Sequence, residues 1–206
     1  KKCLCGSLTK KELSKSTKKL DAVRRCLRGY DCDFIAKEKL KHLVSKDAFD
    51  IEGLGKKVVD NFWKLNLIKT PADIFNLDYK KIEKLDGWGN LSISNLKNAI
   101  NNSKNIVLDK FIFSIGIRHI GQENAKVLAN FFKKSKKFSE LFNSTKRKEI
   151  LKNLDDLDGI GETQIKSVED FFSNKKNVEI IQKLINSLTI KDYEKKIKSG
   201  KLSNKN

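Results

Sequence analysis

A five-residue motif, apolar-x-Gly-apolar-Gly, occurs three times in this chain of 206 residues, and a fourth copy carries histidine at the first glycine position. The copies occupy residues 51–55, 85–89, 117–121 and 157–161, and their final glycines are 34, 32 and 40 residues apart. Self-similarity at a spacing of roughly 20–50 residues is typical of repeat architectures. The chain is therefore predicted to repeat one small unit four times rather than to form one large sheet.

Apolar residues follow each final glycine at the same two distances. Four residues later stand Val59, Ile93, Ala125 and Ile165, and seven residues later stand Phe62, Leu96, Leu128 and Val168. This spacing marks one face of a helix that begins just after the glycine. The fold class predicted for this part of the chain is mostly α, with four helix-hairpin-helix repeats.

The chemistry of such a hairpin suits a phosphate group. Glycine lets the chain turn sharply and keeps Cβ atoms off the surface, while the start of the following helix presents backbone N–H groups at its positive dipole end. The apolar residue between the glycines is expected to pack inward. One such motif is equally typical of a tight connection between helices, whereas four in register favour DNA binding without base recognition. The candidate DNA-binding residues are Gly53, Gly55, Lys56, Lys57, Gly87, Gly89, Arg118, His119, Gly121, Gly159 and Gly161.

The charge of the chain points to the same kind of partner. Its 44 basic and 26 acidic residues give a net charge of +18, which favours a polyanion such as nucleic acid or anionic lipid. The alternative is that the lysine enrichment reflects an AT-rich genome and a solvated surface. A membrane-spanning segment is not expected, because no apolar run reaches about 18 residues. Since the sequence starts at Lys1 and contains no methionine, we expect a piece of a longer protein.

All four cysteines lie within the first 32 residues, as Cys3 and Cys5 followed by Cys26 and Cys32. Two close pairs separated by a spacer suit a tetrahedral zinc site, because each pair supplies two thiolates from one turn. We therefore predict that these four residues bind zinc. The alternatives are free thiols or a site that no longer holds metal. His42 offers a substitute ligand, although its place on the helix after Cys32 favours a packing or surface histidine.

The order of these parts resembles the zinc-finger and helix-hairpin-helix region of NAD-dependent bacterial DNA ligases. The resemblance runs from Cys3 to about Leu188 and rests on CLCGS, the second cysteine pair, KHLVSKDAFDIEGLG, KTPADIFNLD, FSIGIRHIGQENAKVLANFF and LDGIGETQIKSVEDFF. The family's zinc finger reads Cys-Pro-x-Cys-Gly, so this chain departs from it by carrying Lys2 at the first ligand position and Cys3 at the proline. The hairpin with His119 is itself similar to the family pattern.

The resemblance implies a function and a context. In that family an adenylation domain and an OB-fold domain precede this region, and a BRCT domain usually follows it. The implied partner is nicked double-stranded DNA in replication and repair, with zinc in this chain and NAD and magnesium needed only by the full-length enzyme. A monomeric protein in the bacterial cytoplasm, associated with the nucleoid, is expected. The alternative function is a non-enzymatic helix-hairpin-helix module of a repair nuclease or junction-binding protein.

A second motif, Lys84-Leu85-Asp86-Gly87, matches the K-x-D-G signature of ligase adenylation. We interpret it as part of the second hairpin, since a nucleophilic lysine needs a nucleotide pocket that depresses its pKa. No catalytic residue is therefore predicted in this chain. The predicted domains are a small four-cysteine zinc finger at 1–33, a helix-hairpin-helix domain at 34–188 and a polar linker or tail at 189–206.

Overall fold

The computed structural model describes residues 1–11, 19–20 and 22–194 and confirms a mostly α fold. Part of the predicted spacer between the cysteine pairs lies outside these residues, as does the predicted tail after residue 194. The α-helices are α1 Asp33–Leu43, α2 Lys56–Lys64, α3 Pro71–Ile74, α4 Tyr79–Ile82, α5 Asn90–Ser103, α6 Leu108–Ser114, α7 Gln122–Phe132, α8 Ser135–Phe138, α9 Ser144–Leu154, α10 Glu162–Ser173 and α11 Lys175–Ile185. The strands are β1 Thr9–Lys10, β2 Arg25–Cys26, β3 Asn105–Val107 and β4 Thr189–Lys191, and 3₁₀ turns occupy Gly29–Asp31 and Ser139–Phe142.

The predicted hairpins all form, and all four make the same turn. In each one the fourth residue of the motif donates its N–H to the carbonyl of the first, at 3.0–3.2 Å. The donor–acceptor pairs are Leu54 to Ile51, Trp88 to Leu85, Ile120 to Ile117 and Ile160 to Leu157. The helices that begin directly after them are α2, α5, α7 and α10. The sequence repeat is therefore a structural repeat with one backbone geometry.

The third residue of each turn adopts a left-handed conformation, which explains the first glycine of the motif. Gly53, Gly87 and Gly159 have φ values of 83°, 82° and 88°. His119 occupies the same position with φ of 59°, although L side chains disfavour this region. The histidine copy therefore keeps the turn of the other three hairpins.

The apolar residue between the glycines packs inward, as predicted. Leu54, Ile120 and Ile160 are buried, and Trp88 is partly buried against the core. The residues seven positions after each final glycine are buried as well, so the second helix of each repeat faces the core with the predicted stripe. Burying a side chain of this size stabilises the fold by about 1.5–3 kcal/mol.

The first two repeats pack against each other in a reciprocal way. A Cβ atom built on Gly53 would lie 3.8 Å from Leu96 in α5, the second helix of repeat two. In return, the Trp88 ring of the second hairpin lies 5.3 Å from the Phe62 ring in α2. Each hairpin thus rests on the second helix of the other repeat.

Repeats three and four form a second pair with the same arrangement. Asn124 in α7 donates its side-chain amide to the Gly159 carbonyl at 3.2 Å. In return, Nδ1 of His119 in the third hairpin lies 3.0 Å from Oγ of Ser167 in α10. The four repeats are therefore two pairs, in which the hairpin tips are fixed by their partners.

The single proline begins a helix, as its sequence context predicts. Pro71 is the first residue of α3, and Thr70 before it forms a capping box with Asp73. The Thr70 backbone N–H donates to the Asp73 carboxylate at 2.7 Å. Proline is suited to this position because the N–H it lacks would have no partner inside the helix.

The polar tail expected from residue 189 begins with a strand instead. Thr189–Lys191 pairs in parallel with Asn105–Val107, and Ile190 faces the buried Ile106 across the pair. The chain stays attached beyond the strand, since the Tyr193 N–H donates to the Lys133 carbonyl at 2.7 Å. The sequence signal was weak because three-residue strands show too little alternation to detect.

Candidate metal centre and nucleic-acid interface

The four cysteines converge in the structure, as their spacing predicts. Their Sγ atoms all lie within 4.8 Å of one another. Two short contacts join the two halves of the cluster: the Sγ atoms of Cys3 and Cys32 are 3.8 Å apart, and those of Cys5 and Cys26 are 3.7 Å apart. Strands β1 and β2 bring the halves together by pairing Thr9 with Cys26. We call residues 1–32, which contain this cluster, the cysteine module.

These separations agree with a zinc site. With Zn–S bonds of about 2.3 Å, two sulfurs of a tetrahedron are about 3.75 Å apart. The two short Sγ–Sγ distances match this edge, and no pair of the four Sγ atoms is more than 4.8 Å apart. The cluster is therefore compatible with zinc.

The tight spacing of Cys3 and Cys5 does not keep Cys3 out of the cluster. The Gly6 N–H donates to the Cys3 carbonyl at 2.9 Å, and the Cys3 N–H donates to the Ser7 carbonyl at 2.8 Å. Gly6 has φ of 83°, a left-handed conformation that lets the chain reverse after Cys5. Cys3 therefore joins the cluster, although the family pattern would place the first ligand at Lys2.

The thiols of the cluster differ in acidity. Hydrogen bonds from the side chain and backbone of Ser7 lower the pKa of Cys5 to about 6. Burial raises the pKa of Cys32 to about 12. Cys5 therefore ionises more readily than Cys32, and because the thiolate is the metal ligand, a bound cation would favour the thiolate of both.

His42 does not join the cysteines. Among the described residues, the cluster is made of cysteine alone. The His42 Nε2 lies 2.9 Å from the Phe113 carbonyl oxygen, and its ring packs edge-on against the Phe113 ring at 4.7 Å. It is a packing histidine that joins α1 to α6.

The hairpin tips face solvent. All seven predicted glycines of the four motifs are exposed, as are Lys56, Lys57 and His119, while Arg118 is partly buried. In each helix that follows, the residue four positions after the final glycine donates to that glycine's carbonyl at 2.9–3.1 Å. The N–H groups of the first turn have no carbonyl one turn earlier and point out of the helix. The structure therefore presents the predicted phosphate-binding groups at the surface.

The four tips differ in charge. Helix α2 begins with Lys56 and Lys57, and neither α2 nor α5 has an acidic residue in its first turn. By contrast, α7 has Glu123 in its first turn and α10 has Glu162. Judged by the charge of the first helical turn, the first hairpin is therefore the most favourable of the four for an anion.

Lys84 lies in an exposed turn between α4 and the second hairpin. Its neighbours Asp86 and Gly87 are exposed as well, and Asp158 in the fourth hairpin shares this exposure. Asp86 and Gly87 thus belong to the second hairpin, and Lys84 directly precedes it, which agrees with the predicted placement of the motif.

Sequence reasoning did not identify Ser167 or Lys39. Ser167 fixes His119 from the neighbouring repeat, and Lys39 in α1 donates to the Gly116 carbonyl at 3.0 Å. The Lys39 ammonium also lies 5.2 Å from the Tyr30 ring and 5.3 Å from the Phe171 ring. No local motif signals these roles, because every partner is at least 9 residues away in sequence.

Comparisons with known proteins agree with the repeats. A family model described as the helix-hairpin-helix motif matches residues 110–181, which hold most of the third and fourth repeats. The chain is 50% identical over 202 residues to a DNA ligase of Pelagibacter ubique, 41% over 193 residues to one of Rickettsia bellii, and 42% over 188 residues to one of Parvibaculum lavamentivorans. These alignments cover 98%, 90% and 87% of this chain, and 29%, 28% and 26% of those ligases.

The fold and the cluster define a helix-hairpin-helix protein with a four-cysteine site. The relatives then specify the kind of protein: the resemblance to DNA ligases is confirmed, and the chain corresponds to a part of a DNA ligase. It spans less than a third of the length of the relatives it matches. None of the helices in the described part of the chain is long and apolar enough to cross a membrane.

Proposed function

We propose that this chain binds duplex DNA without reading its base sequence, as part of an NAD-dependent DNA ligase that seals nicks in replication and repair. The observation that carries the proposal is the shared geometry of the four exposed hairpins. Each tip combines outward N–H groups with the positive end of a helix dipole, which is an arrangement suited to phosphate oxygens. The net charge of +18 adds a long-range attraction to a polyanion.

The cysteine module has a separate, structural part in this proposal. Cys3, Cys5, Cys26 and Cys32 bind one zinc ion, which orders the module next to the repeats. NAD and magnesium serve the full-length enzyme, and no residue of this chain is assigned to them. We expect the protein to act as a monomer in the bacterial cytoplasm, in association with the nucleoid. The predicted domain boundary at 33 belongs to this proposal too, with the helix-hairpin-helix domain extending past 188 through β4.

The lysines of the first hairpin provide the test of DNA binding. Lys56→Ala and Lys57→Ala should each make the plot of log affinity against log salt less steep, by up to ~0.9 in the magnitude of its slope. The reason is that a variant with one phosphate contact fewer releases fewer counterions when it binds. The affinity should fall alike for unrelated duplex sequences, since phosphates carry no base information. The measurement is fluorescence anisotropy of labelled nicked and intact duplexes across a salt series.

The matched control is Lys183→Ala, which removes an exposed lysine of α11 outside all four hairpins. Its salt slope should stay close to that of the unchanged protein. A full chain that does not bind duplex DNA at any salt concentration would contradict the proposed function.

The Lys84 motif should remain unmodified when the chain is incubated with NAD and magnesium. An adenylated lysine requires a nucleotide pocket around a nucleophilic amine, and Lys84 lies exposed in a hairpin turn. Intact-mass spectrometry should detect no AMP adduct, and Lys84→Ala serves as the control for peptide assignment. An adduct on Lys84 in the unchanged chain would refute this interpretation.

A further inference from the structure

A groove of about 1330 Å³ lies between the cysteine module and the second pair of repeats. One wall consists of residues of the module, among them Lys2 and Arg24. The other wall consists of residues 116–120, which include most of the third hairpin, and the exposed side of α10, and residues of α1 such as Lys39 line the groove as well. The third hairpin thus faces the cysteine module across the groove.

The walls of the groove carry an excess of positive charge. Six basic residues line it, against the acidic residues Glu38, Glu162 and Asp170. The basic residues are Lys2, Arg24, Arg25, Lys39, Arg118 and Lys166. Lys2, Arg24 and Arg25 belong to the module, whereas Arg118 and Lys166 lie on the opposite wall, so an anionic chain inside the groove would be attracted from two sides.

Contacts beside the groove join the cysteine module to the helical repeats. Lys39 bridges α1 to the third hairpin through the Gly116 carbonyl and lies beside the ring of Tyr30 in the cysteine module. Asp31 of the module forms an ion pair with Lys176 of α11. The groove is therefore part of the folded chain rather than a gap between independent units.

His119 supplies an independent observation on the same wall. Its φ of 59° is strained for an L residue, and glycine holds this position without strain in the other three hairpins. The Ser167 hydroxyl donates to the Thr163 carbonyl at 2.8 Å, so its oxygen accepts from Nδ1–H of His119. The ring is thus fixed at the groove, and strain retained at a surface position indicates a role for the side chain.

We infer that this groove receives the sugar-phosphate backbone of a DNA strand, with the cysteine module and the third hairpin contacting it from opposite sides. The inference rests on the proposed function and deepens it, because it adds a DNA-binding surface that includes the module. The occupant is argued from charge complementarity: six basic residues suit the regularly spaced phosphates of a strand. Apolar groups between them, such as Leu4 and Ile35, suit the sugars.

The test compares charge reversals on the two walls with a matched reversal elsewhere. Lys2→Glu and Lys166→Glu change opposite walls of the groove, and Lys183→Glu makes the same change on α11 outside it. His119→Gly restores the glycine of the other three hairpins, so it removes the ring without disturbing the turn. Binding of labelled nicked duplex and of polyglutamate is measured with the full chain, together with thermal unfolding of each variant.

Each wall variant should weaken DNA binding roughly five- to thirtyfold, which is the loss expected for one charge-assisted phosphate contact. Lys183→Glu should change the DNA affinity less than about threefold, because a distant charge is screened by salt. His119→Gly should lose affinity severalfold while unfolding at the same temperature or a higher one.

Other outcomes overturn the inference. If the wall variants match Lys183→Glu and His119→Gly binds DNA like the unchanged chain, the groove does not hold DNA. The proposed function still stands in that case if the Lys56 and Lys57 variants lose affinity. If the wall variants lose polyglutamate binding and keep DNA binding, the groove holds an acidic protein segment instead. A chain that binds no DNA at all refutes the proposed function and the inference together.

Discussion

Removing zinc should unfold the cysteine module and leave the helical repeats folded. The module has almost no apolar core of its own: within residues 1–32, only Tyr30 and Cys32 are buried among the described apolar residues. Its other large apolar side chains face solvent with more than half of their surface exposed, namely Leu4, Leu8, Leu20, Val23 and Leu27. A zinc ion bound by the four cysteines would therefore be the main source of order in this part of the chain.

The magnitudes support a complete loss of order rather than a partial one. Zinc contributes about 10–16 kcal/mol when it binds in small structural modules, and this free energy becomes folding free energy. The regular structure of the module amounts to two short strands and one 3₁₀ turn among its described residues. A few backbone hydrogen bonds of about 1 kcal/mol each cannot replace the metal.

The experiment combines metal analysis with limited proteolysis. Elemental analysis should give about one zinc ion per chain, and Cys32→Ser should lower that value by removing a ligand. After chelation, trypsin should cleave within residues 1–32 at least about tenfold faster, while α1 to α11 stay protected. Leu27→Ser, which changes an exposed residue beside a ligand, is the matched control and should keep its zinc. Metal-free protein with equal protection of the module would contradict the prediction.

The hairpins were predictable from sequence because one local constraint recurs in each of them. Each hairpin combines three features within five positions: a left-handed residue, a buried apolar residue and the start of a helix. Glycine and apolar residues at fixed positions therefore indicate the hairpin directly in the sequence. His119 shows the limit of that signal. The sequence identified it as a replaced glycine, but it gave no sign of the contact with Ser167, which lies 48 residues further along the chain.

The remaining architecture depends on contacts between distant segments. Strand β3 finds its partner β4 more than 80 residues later, and neither strand is long enough to show alternation. The pairing of repeats depends on contacts such as Gly53 with Leu96. The groove walls meet through Lys39 and through the ion pair between Asp31 and Lys176. Such pairings are set by packing, which a single sequence does not reveal.

The structure also separates two kinds of glycine in each hairpin. Gly53 and Gly87 have left-handed backbones, so any larger side chain there strains the turn by about 1–2 kcal/mol. Gly55 and Gly89 have φ values of −67° and −92°, which any residue adopts. A Cβ atom at either of these two positions would have no neighbour within 4 Å. The final glycines are therefore not needed for the turn itself.

Gly55→Val and Gly89→Val should consequently weaken DNA binding without unfolding the chain. Each adds an apolar side chain at the exposed start of a helix, where a phosphate would approach the first N–H groups. The loss of one such contact is worth about 1–2 kcal/mol, or roughly five- to thirtyfold in affinity. The stability cost is expected to be about 1 kcal/mol or less, the scale of a poor helix N-cap.

Anisotropy with two unrelated nicked duplexes, paired with thermal unfolding, separates the two effects. Gly53→Val and Gly87→Val are the contrasting variants, since they should lower the unfolding temperature through backbone strain. Gly55→Val and Gly89→Val should instead unfold near the temperature of the unchanged chain and lose affinity equally for both duplexes. If Gly55→Val and Gly89→Val remain folded and bind DNA as tightly as the unchanged chain, the added side chains do not obstruct a phosphate. The hairpins then only connect helices.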